Sequence, residues 1–242
     1  MSSAKIAKMK AIILAAGPSW RMYSLAQDKP KCLLPISGQE NILDRQIRIL
    51  KQSGVSDITV VVAFRHKKSF DDYEDQVSIF HPPHDGLGSA YSLWSARERF
   101  DDDLLIVNSD VIFNQKIIKD LIKNRNVYCF VVSRKKCDRE DQKVRVENRL
   151  IAEVGKYILS EEAYGEFIGL AKVAKRGIKK FQEALDQAIK DNPYLFYAEV
   201  FNYLIKRGTR LHFIKTTTPW IEVDTPKDYQ RAKEMLRLNY LD

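Results

Sequence analysis

The chain has 242 residues, 45% hydrophobic and 30% charged, enough to close a full core around one large domain or one domain with a lid. No run approaches the ~20 apolar residues of a membrane span, and the opening MSSAKIAKMK lacks the apolar stretch of a secretory signal, so a cytoplasmic protein with no membrane partner is expected. The net charge of +8 favours anionic partners. The basic clusters at 65–68, 134–136 and 175–180 are not interleaved with stacking aromatics, so they read as solvated faces and nucleic acid is not expected.

Residues 11–16 form a short Ile- and Leu-rich run that reads as a buried strand of a parallel sheet, ending at Gly17. A glycine there lets the backbone approach a ligand closely, and neighbouring amides can converge on an anion. Arg21 and Lys31 place fixed positive charges along the loop that follows, which together with those amides suits a triphosphate. Residues 41–52 carry Ile42, Leu43, Ile47 and Leu50 at helical spacing, with Gly54 as a stop. A strand at 57–63, a short helix at 67–74 and a strand at 77–80 continue the rhythm of a parallel α/β sheet.

The segment HPPHDGLG at 81–88 is a loop, and Ser89 is placed to cap a helix burying Ala90, Leu93, Trp94 and Ala96. A strand at 104–107 runs into Asn108-Ser109-Asp110. A carboxylate at the carboxyl end of a parallel strand points into the crevice where α/β proteins bind ligands, so Asp110 is either a magnesium ligand or a structural cap. A helix at 115–123 and a strand at 127–133 follow. Residues 143–147 and 150–154 read as a hairpin turning at Asn148-Arg149, with a further strand at 165–172. An amphipathic helix spans 176–189, and Asn192-Pro193 is expected to open the next one, to about residue 206. The aromatic run from Tyr194 to Tyr197, followed by Glu199, reads as core or as the wall of a pocket for a cationic head. A strand at 210–215, the segment WIEVDTP at 220–226 and a helix at 227–238 complete the chain. Three cysteines (Cys32, Cys129 and Cys137), odd in number and without metal-type pairing, read as reduced thiols.

Several segments agree with one signature: LAAG at 14–17, Arg21-Met22, Leu25, Asp28-Lys29-Pro30-Lys31, Leu33-Leu34-Pro35-Ile36 with Gly38, and WIEVDTP. Together they resemble the sugar-phosphate nucleotidyltransferases. The short length, DREDQKV at 138–144 and GEFIG at 165–169 look most like the small cytidylyltransferases that act on phosphocholine, 2-aminoethylphosphonate or inositol-1-phosphate. The resemblance implies a Rossmann-like α/β fold, with a mostly parallel central sheet, an added antiparallel hairpin and an acceptor-side lid. It also implies one domain over 1–242, the nucleotide side at about 10–135 and the acceptor side at about 136–242.

By the same resemblance, Ala15, Ala16, Gly17, Pro18, Ser19 and Trp20 wrap a triphosphate, CTP by preference, which Arg21 and Lys31 contact. His81, Gly88 and Ser89 meet the base. Asp110 and Asp224, 114 residues apart, hold Mg²⁺. Lys156, with Lys143, binds the acceptor phosphate and Glu166 joins that site, while the aromatic run itself offers Tyr197 and Glu199 as its wall. Two positions depart from the pattern: Ser19 replaces a glycine, and Asn108 replaces the first aspartate of the commoner D-x-D form. Those departures keep open a non-catalytic nucleotide-binding protein, and a sugar-1-phosphate enzyme using UTP, dTTP or GTP is the other alternative. An acceptor phosphate oxygen is already anionic and needs no activating base, so the lack of a Ser-His-Asp or Cys-His constellation is expected. The oligomeric state is left open.

Overall fold

The computed structural model describes residues 9–17, 20–26 and 29–241. Pro18, Ser19 and Asp28 of the signature loop therefore lie outside the described residues. The strands of the first half are β1 (Lys10–Ala15), β2 (Pro35–Ser37), β3 (Glu40–Asn41), β4 (Asp57–Val62), β5 (Ser78–Phe80), β6 (Leu104–Asn108) and β7 (Val111–Phe113). Those of the second half are β8 (Tyr128–Ser133), β9 (Lys143–Glu147), β10 (Leu150–Gly155), β11 (Gly165–Val173), β12 (His212–Thr216) and β13 (Trp220–Glu222). The helices are α1 (Tyr23–Ala26), α2 (Ile42–Gln52), α3 (Ser89–Ser95), α4 (Gln115–Lys123), α5 (Ile178–Asp191), α6 (Tyr197–Lys206) and α7 (Pro226–Arg237).

The fold is Rossmann-like α/β. β1 lies between β4 and β6 with all three parallel, and β5 extends the row beyond β4. Beyond β6 comes the antiparallel β11, then β8 and its parallel neighbour β12. Alternate residues of β1 enter different cores. Ala11, Ile13 and Ala15 pack with residues of α2, α4 and α7, while Ile12 and Leu14 pack with residues of α3, α5 and α6. A strand buried on both faces must be apolar throughout, which is why β1, β4 and β6 read as continuous Val, Ile and Leu runs. Among the described residues, no helix is long and apolar enough to cross a membrane.

Reciprocal caps fix two helix starts. Asn41 Oδ1 accepts from Asp44 N at 2.9 Å while Asp44 accepts from Asn41 N at 3.0 Å, opening α2. Thr225 and Asp228 do the same for α7, with Pro226 in the first turn, so Asp228 caps the helix as well as answering its dipole.

β11 changes neighbours midway. Leu170–Val173 pairs with β6, whereas Gly165 and Glu166 pair with β9 of the hairpin. Between them Gly169 takes φ +79°, where a Cβ would lie 2.8 Å from Asn108 Nδ2. Both the backbone angle and the close approach require glycine. With the register shift between Phe167 and Ala171, this lets β11 change partners, and the β9–β10 hairpin continues the same sheet beyond it. That hairpin turns at Asn148 and Arg149, both in the left-handed region at φ 50° and 62°, as a two-residue turn between twisted strands requires.

Three local expectations are corrected. The segment expected as a helix over 67–74 is a 3₁₀ helix spanning Phe64–Tyr73. Ser89 does not cap α3: Gly88 holds the cap position, and Ser89 Oγ accepts from Tyr197 N at 2.9 Å, tying α3 to α6. Asn192-Pro193 does not open α6, which begins at Tyr197 with the Glu199 carboxylate accepting from Phe196 N at 3.0 Å. Residues 192–196 instead pass over α3, where Gly88 N donates to Pro193 O and Ala90 N to Leu195 O.

Candidate active site

A cavity of about 760 Å³ opens beyond the carboxyl ends of β1 and β6. This is where such sheets place ligands, because the loops after neighbouring strands diverge there. Ala15, Ala16, Gly17, Trp20 and Arg21 line one wall. The floor brings two distant segments together through a short ribbon: β13 pairs antiparallel with β7, and Val223 N donates to Asp110 O at 2.8 Å. The carboxylates of Asp110 and Asp224, which share no local sequence, meet because of that ribbon.

Between them lies Lys31. Its Nζ is 2.7 Å from Asp110 Oδ2 and 2.5 Å from Asp224 Oδ1, while Arg21 Nη2 reaches Asp224 Oδ2 at 2.8 Å. Burial alone would lower the Lys31 pKa, but the charges of Asp110 and Asp224 outweigh it and hold the ammonium above its ordinary value. Burial likewise pushes Asp224 upward, yet Lys31 and Arg21 leave it below the usual carboxylate range. A third acid completes the group. Glu222 offers an oxygen within 4.8 Å of those of Asp110 and Asp224. Burial first, then the charges of those two aspartates, raise its pKa well above the ordinary glutamate value. Glu222 was missed in the sequence although a signal existed: residues two apart in an extended segment share a side, so the E-x-D of WIEVD presents both acids together.

At the other end of the cavity Lys156 stands 3.5 Å from Glu140, with its ammonium 4.9 Å from the centroid of the Phe196 ring. Glu140, Gln142, Phe167, Tyr194 and Phe196 also line this end. Tyr194 and Phe196 belong to the aromatic run read as a possible pocket wall, whereas Glu140 and Gln142 were not candidates, because a loop such as 134–142 acquires its position only through tertiary contacts.

Several candidates do not face the cavity in the way the sequence suggested. Lys143 is 1% exposed and its Nζ donates to the carbonyl oxygens of Asp138, Arg139 and Asp141, organising that loop from within. Glu166 is buried against Lys135 at 2.7 Å; burial pushes its pKa to about 7, although Lys135 pulls the other way. Tyr197 is 2% exposed and packs edge-on against Phe167, behind the wall. Glu199 is held as the α6 cap. His81 turns to the sheet, where its Nδ1–H donates to Val62 O at 3.0 Å and its ring meets the Phe64 ring edge-on. Gly88 and Ser89 do line the cavity, but the Gly88 amide is taken by Pro193 O. A Cβ on Gly88 would lie 2.2 Å from Leu195 O, so contact with the 193–195 segment already accounts for the glycine. Cys32, Cys129 and Cys137 are buried free thiols. A shallower groove of about 960 Å³, between residues 36–37 and α7, contains none of the candidate residues.

The sequence pattern of the MobA-like NTP transferase domain matches residues 11–200. The chain is 24% identical to the CTP:phosphoglutamine cytidylyltransferase of Campylobacter jejuni, across 92% of this chain and 98% of that protein. It is 23% identical to a UTP–glucose-1-phosphate uridylyltransferase of Haloferax volcanii, across 95% and 97%. Its fold superposes on the solved structure of the CTP:phosphocholine cytidylyltransferase of Streptococcus pneumoniae with a TM-score of 0.78 at 23% identity, covering 95% of this chain and 99% of that one. With its fold, its cavity and most of its length in agreement, the chain belongs to the MobA-like NTP transferase family of nucleotidyltransferases.

Proposed function

We propose that the protein transfers CMP from CTP to a small phosphorylated alcohol or phosphonate, such as phosphocholine or 2-aminoethylphosphonate, releasing pyrophosphate. We read residues 1–242 as one domain performing that reaction. The observation that carries this reading is the cluster of Asp110, Lys31, Asp224 and Arg21 on the floor of a cavity walled by the Gly17 turn. The cytidylyltransferases among its relatives support the choice of CTP.

The donor set suits Mg²⁺. Asp110, Glu222 and Asp224 present hard oxygen ligands close together, and Asp110 Oδ1 is buried without a hydrogen-bond partner. Asp110 and Asp224 would hold the ion, with Glu222 beside them. When bound it would neutralise phosphate charge and favour departure of pyrophosphate.

The chain's own residues account for the rest. Arg21 and Lys31, released in part from the aspartates, draw charge from the triphosphate as it enters. Lys156 binds the acceptor's phosphate or phosphonate and aims one oxygen at the α-phosphorus, in line with the pyrophosphate. That oxygen forms the new O–P bond as the bond from Pα to the bridging oxygen breaks, and the electron pair leaves with pyrophosphate. The acceptor oxygen arrives ionised, so no residue has to take a proton. Phe167, Tyr194 and Phe196 shield that end from water and offer ring faces to an acceptor's cationic head.

A sugar-1-phosphate acceptor with UTP is the second reading, favoured by the Haloferax relative. A matrix of CTP, UTP, dTTP and GTP against phosphocholine, 2-aminoethylphosphonate and glucose-1-phosphate, read by pyrophosphate release, separates the two. CTP with an amine-bearing acceptor should give the fastest turnover. Turnover confined to UTP and glucose-1-phosphate would replace the first reading by the second.

A further inference from the structure

Asp110 sits in a two-residue turn, Ser109-Asp110, between β6 and β7. Three tethers hold that turn. Ser109 N donates to Leu14 O at 3.3 Å, Val223 N donates to Asp110 O at 2.8 Å, and the third comes from α2, packed on one face of the sheet. Gln46 of α2, 1% exposed, donates through Nε2 to Asn108 O and to Val111 O, both at 2.8 Å. These carbonyls lie immediately before and after the turn, so both amide hydrogens span it like a clamp.

Gln46 is an unusual choice for the place it occupies. Its buried neighbours on α2 are Ile42, Leu43, Ile47, Ile49 and Leu50 with one charged residue, Arg45, and its own Oε1 is buried without a hydrogen-bond partner. An unpaired amide oxygen in an apolar core is destabilising, and a leucine or methionine of similar volume would avoid it. What those side chains lack is a planar pair of donors at fixed separation. Fixing the separation of the two carbonyls fixes the twist of the turn, and the twist sets where the Asp110 carboxylate points relative to Asp224. The other aspartate arrives on the segment after β13, which the β7–β13 ribbon and the Val223 N–Asp110 O bond already tie to this turn, and the clamp adds a hold on the same turn from α2.

We propose that Gln46 is a positioning residue: its side-chain amide sets the geometry between the Asp110 and Asp224 carboxylates, and through them the affinity of the site for a divalent cation. The inference rests on the reading of those carboxylates as a metal site. Outer groups that orient metal ligands commonly change affinity strongly without touching the ion. Gln46 touches neither nucleotide nor acceptor, so its effect belongs in the metal dependence and in kcat, with the KM for CTP little changed.

The test titrates Mn²⁺, in the presence of CTP, into wild-type protein, Gln46→Met and Asp110→Asn, following the electron paramagnetic resonance of protein-held Mn²⁺. Circular dichroism checks that each variant is folded. Wild-type protein should hold Mn²⁺ and Asp110→Asn should lose it, while folded Gln46→Met should bind roughly 10-fold more weakly. In steady-state kinetics Gln46→Met should show lower kcat and a raised Mg²⁺ half-saturation, with the KM for CTP changed less than about 2-fold. If Gln46→Met does not fold, Gln46→Asn, which keeps the amide one methylene short, is scored on the same two criteria. Unchanged Mn²⁺ affinity in a folded variant overturns the positioning role and leaves the metal site standing. Absence of protein-held Mn²⁺ in the wild type removes the metal site, and the positioning role with it.

Discussion

On the floor of the cavity Arg21, Lys31, Asp110 and Asp224 pair their charges directly with one another beside the open space that a nucleotide is proposed to fill. At the acceptor end Lys143, Glu166 and Glu199 direct theirs into the protein, at loop carbonyls, at Lys135 and at a helix start. Ion pairs facing a cavity can be exchanged for a ligand's charges with little rearrangement of the backbone. Charges bound to backbone groups hold loops in place and are not released to a substrate without unfolding the loop. On the proposed function, the first kind of group would serve binding and turnover and the second the shape of the wall.

Substitutions at the two ends should therefore fail in different ways. The largest effect is expected at the floor: Asp110→Asn or Asp224→Asn should lower kcat on the order of 10³-fold, with the thermal midpoint changed by only a few degrees. A variant retaining near-normal turnover would remove that carboxylate from the reaction. At the acceptor end Lys156→Ala should raise the KM for the acceptor roughly 10-fold or more and leave that for CTP unchanged. Equal losses for both substrates would place Lys156 elsewhere in the cycle. Lys143→Met should do the opposite of Lys156→Ala. It should lower stability by about 1–3 kcal/mol, because three loop carbonyls lose their donor. Denaturant titration reads that loss, and a selective rise in acceptor KM with stability intact would return Lys143 to substrate binding.

The nucleotide end was the more legible in sequence for a physical reason. Lys31 and Asp110 belong to motifs whose backbone is set within a few residues, by a strand end or a tight turn, so spacing alone constrains them. The long-range meeting of Asp110 with Asp224 was legible only through the family resemblance, because the β7–β13 ribbon that makes it is a tertiary pairing no local pattern encodes. On the acceptor side a lysine in an extended strand can point either way. Lys143 points inward because the loop 138–141 folds over it, which no local pattern encodes. The α6 start shows the same limit. Asn192-Pro193 is a good local opening, but contact of residues 193–195 with α3 prevails, and the helix, capped by Glu199, starts four residues later than Asn-Pro suggests. Glu140 and Gln142 reach the cavity on that same loop, so they too were out of reach.

Glu166 supplies a pH test of the wall. Its folded pKa of about 7 lies above the ordinary glutamate value, because burial outweighs the pull of Lys135, with Asp141 adding to the rise. The folded protein therefore binds a proton more tightly than the unfolded chain, so stability is fully present below about pH 4 and declines as pH rises toward 7. The decline attributable to this group is at most about 3 kcal/mol. Urea titrations at pH 5 and pH 8 should show it, and Glu166→Gln should flatten the difference; an unchanged slope would mean Glu166 does not titrate in this window. The smallest effect is expected at Tyr197, whose buried hydroxyl has no hydrogen-bond partner. Tyr197→Phe should leave the acceptor KM unchanged and stability within about 1 kcal/mol. A selective rise in that KM would bring the ring back into the acceptor wall.

The central claim, that the carboxylates at the floor of the cavity form a metal-dependent nucleotidyl-transfer centre, is tested most directly by following pyrophosphate release from CTP and phosphocholine or 2-aminoethylphosphonate while Mg²⁺ is titrated and then removed with EDTA. Turnover that rises saturably with Mg²⁺ and stops on chelation is the expected result. Turnover that proceeds at the same rate in EDTA would contradict it.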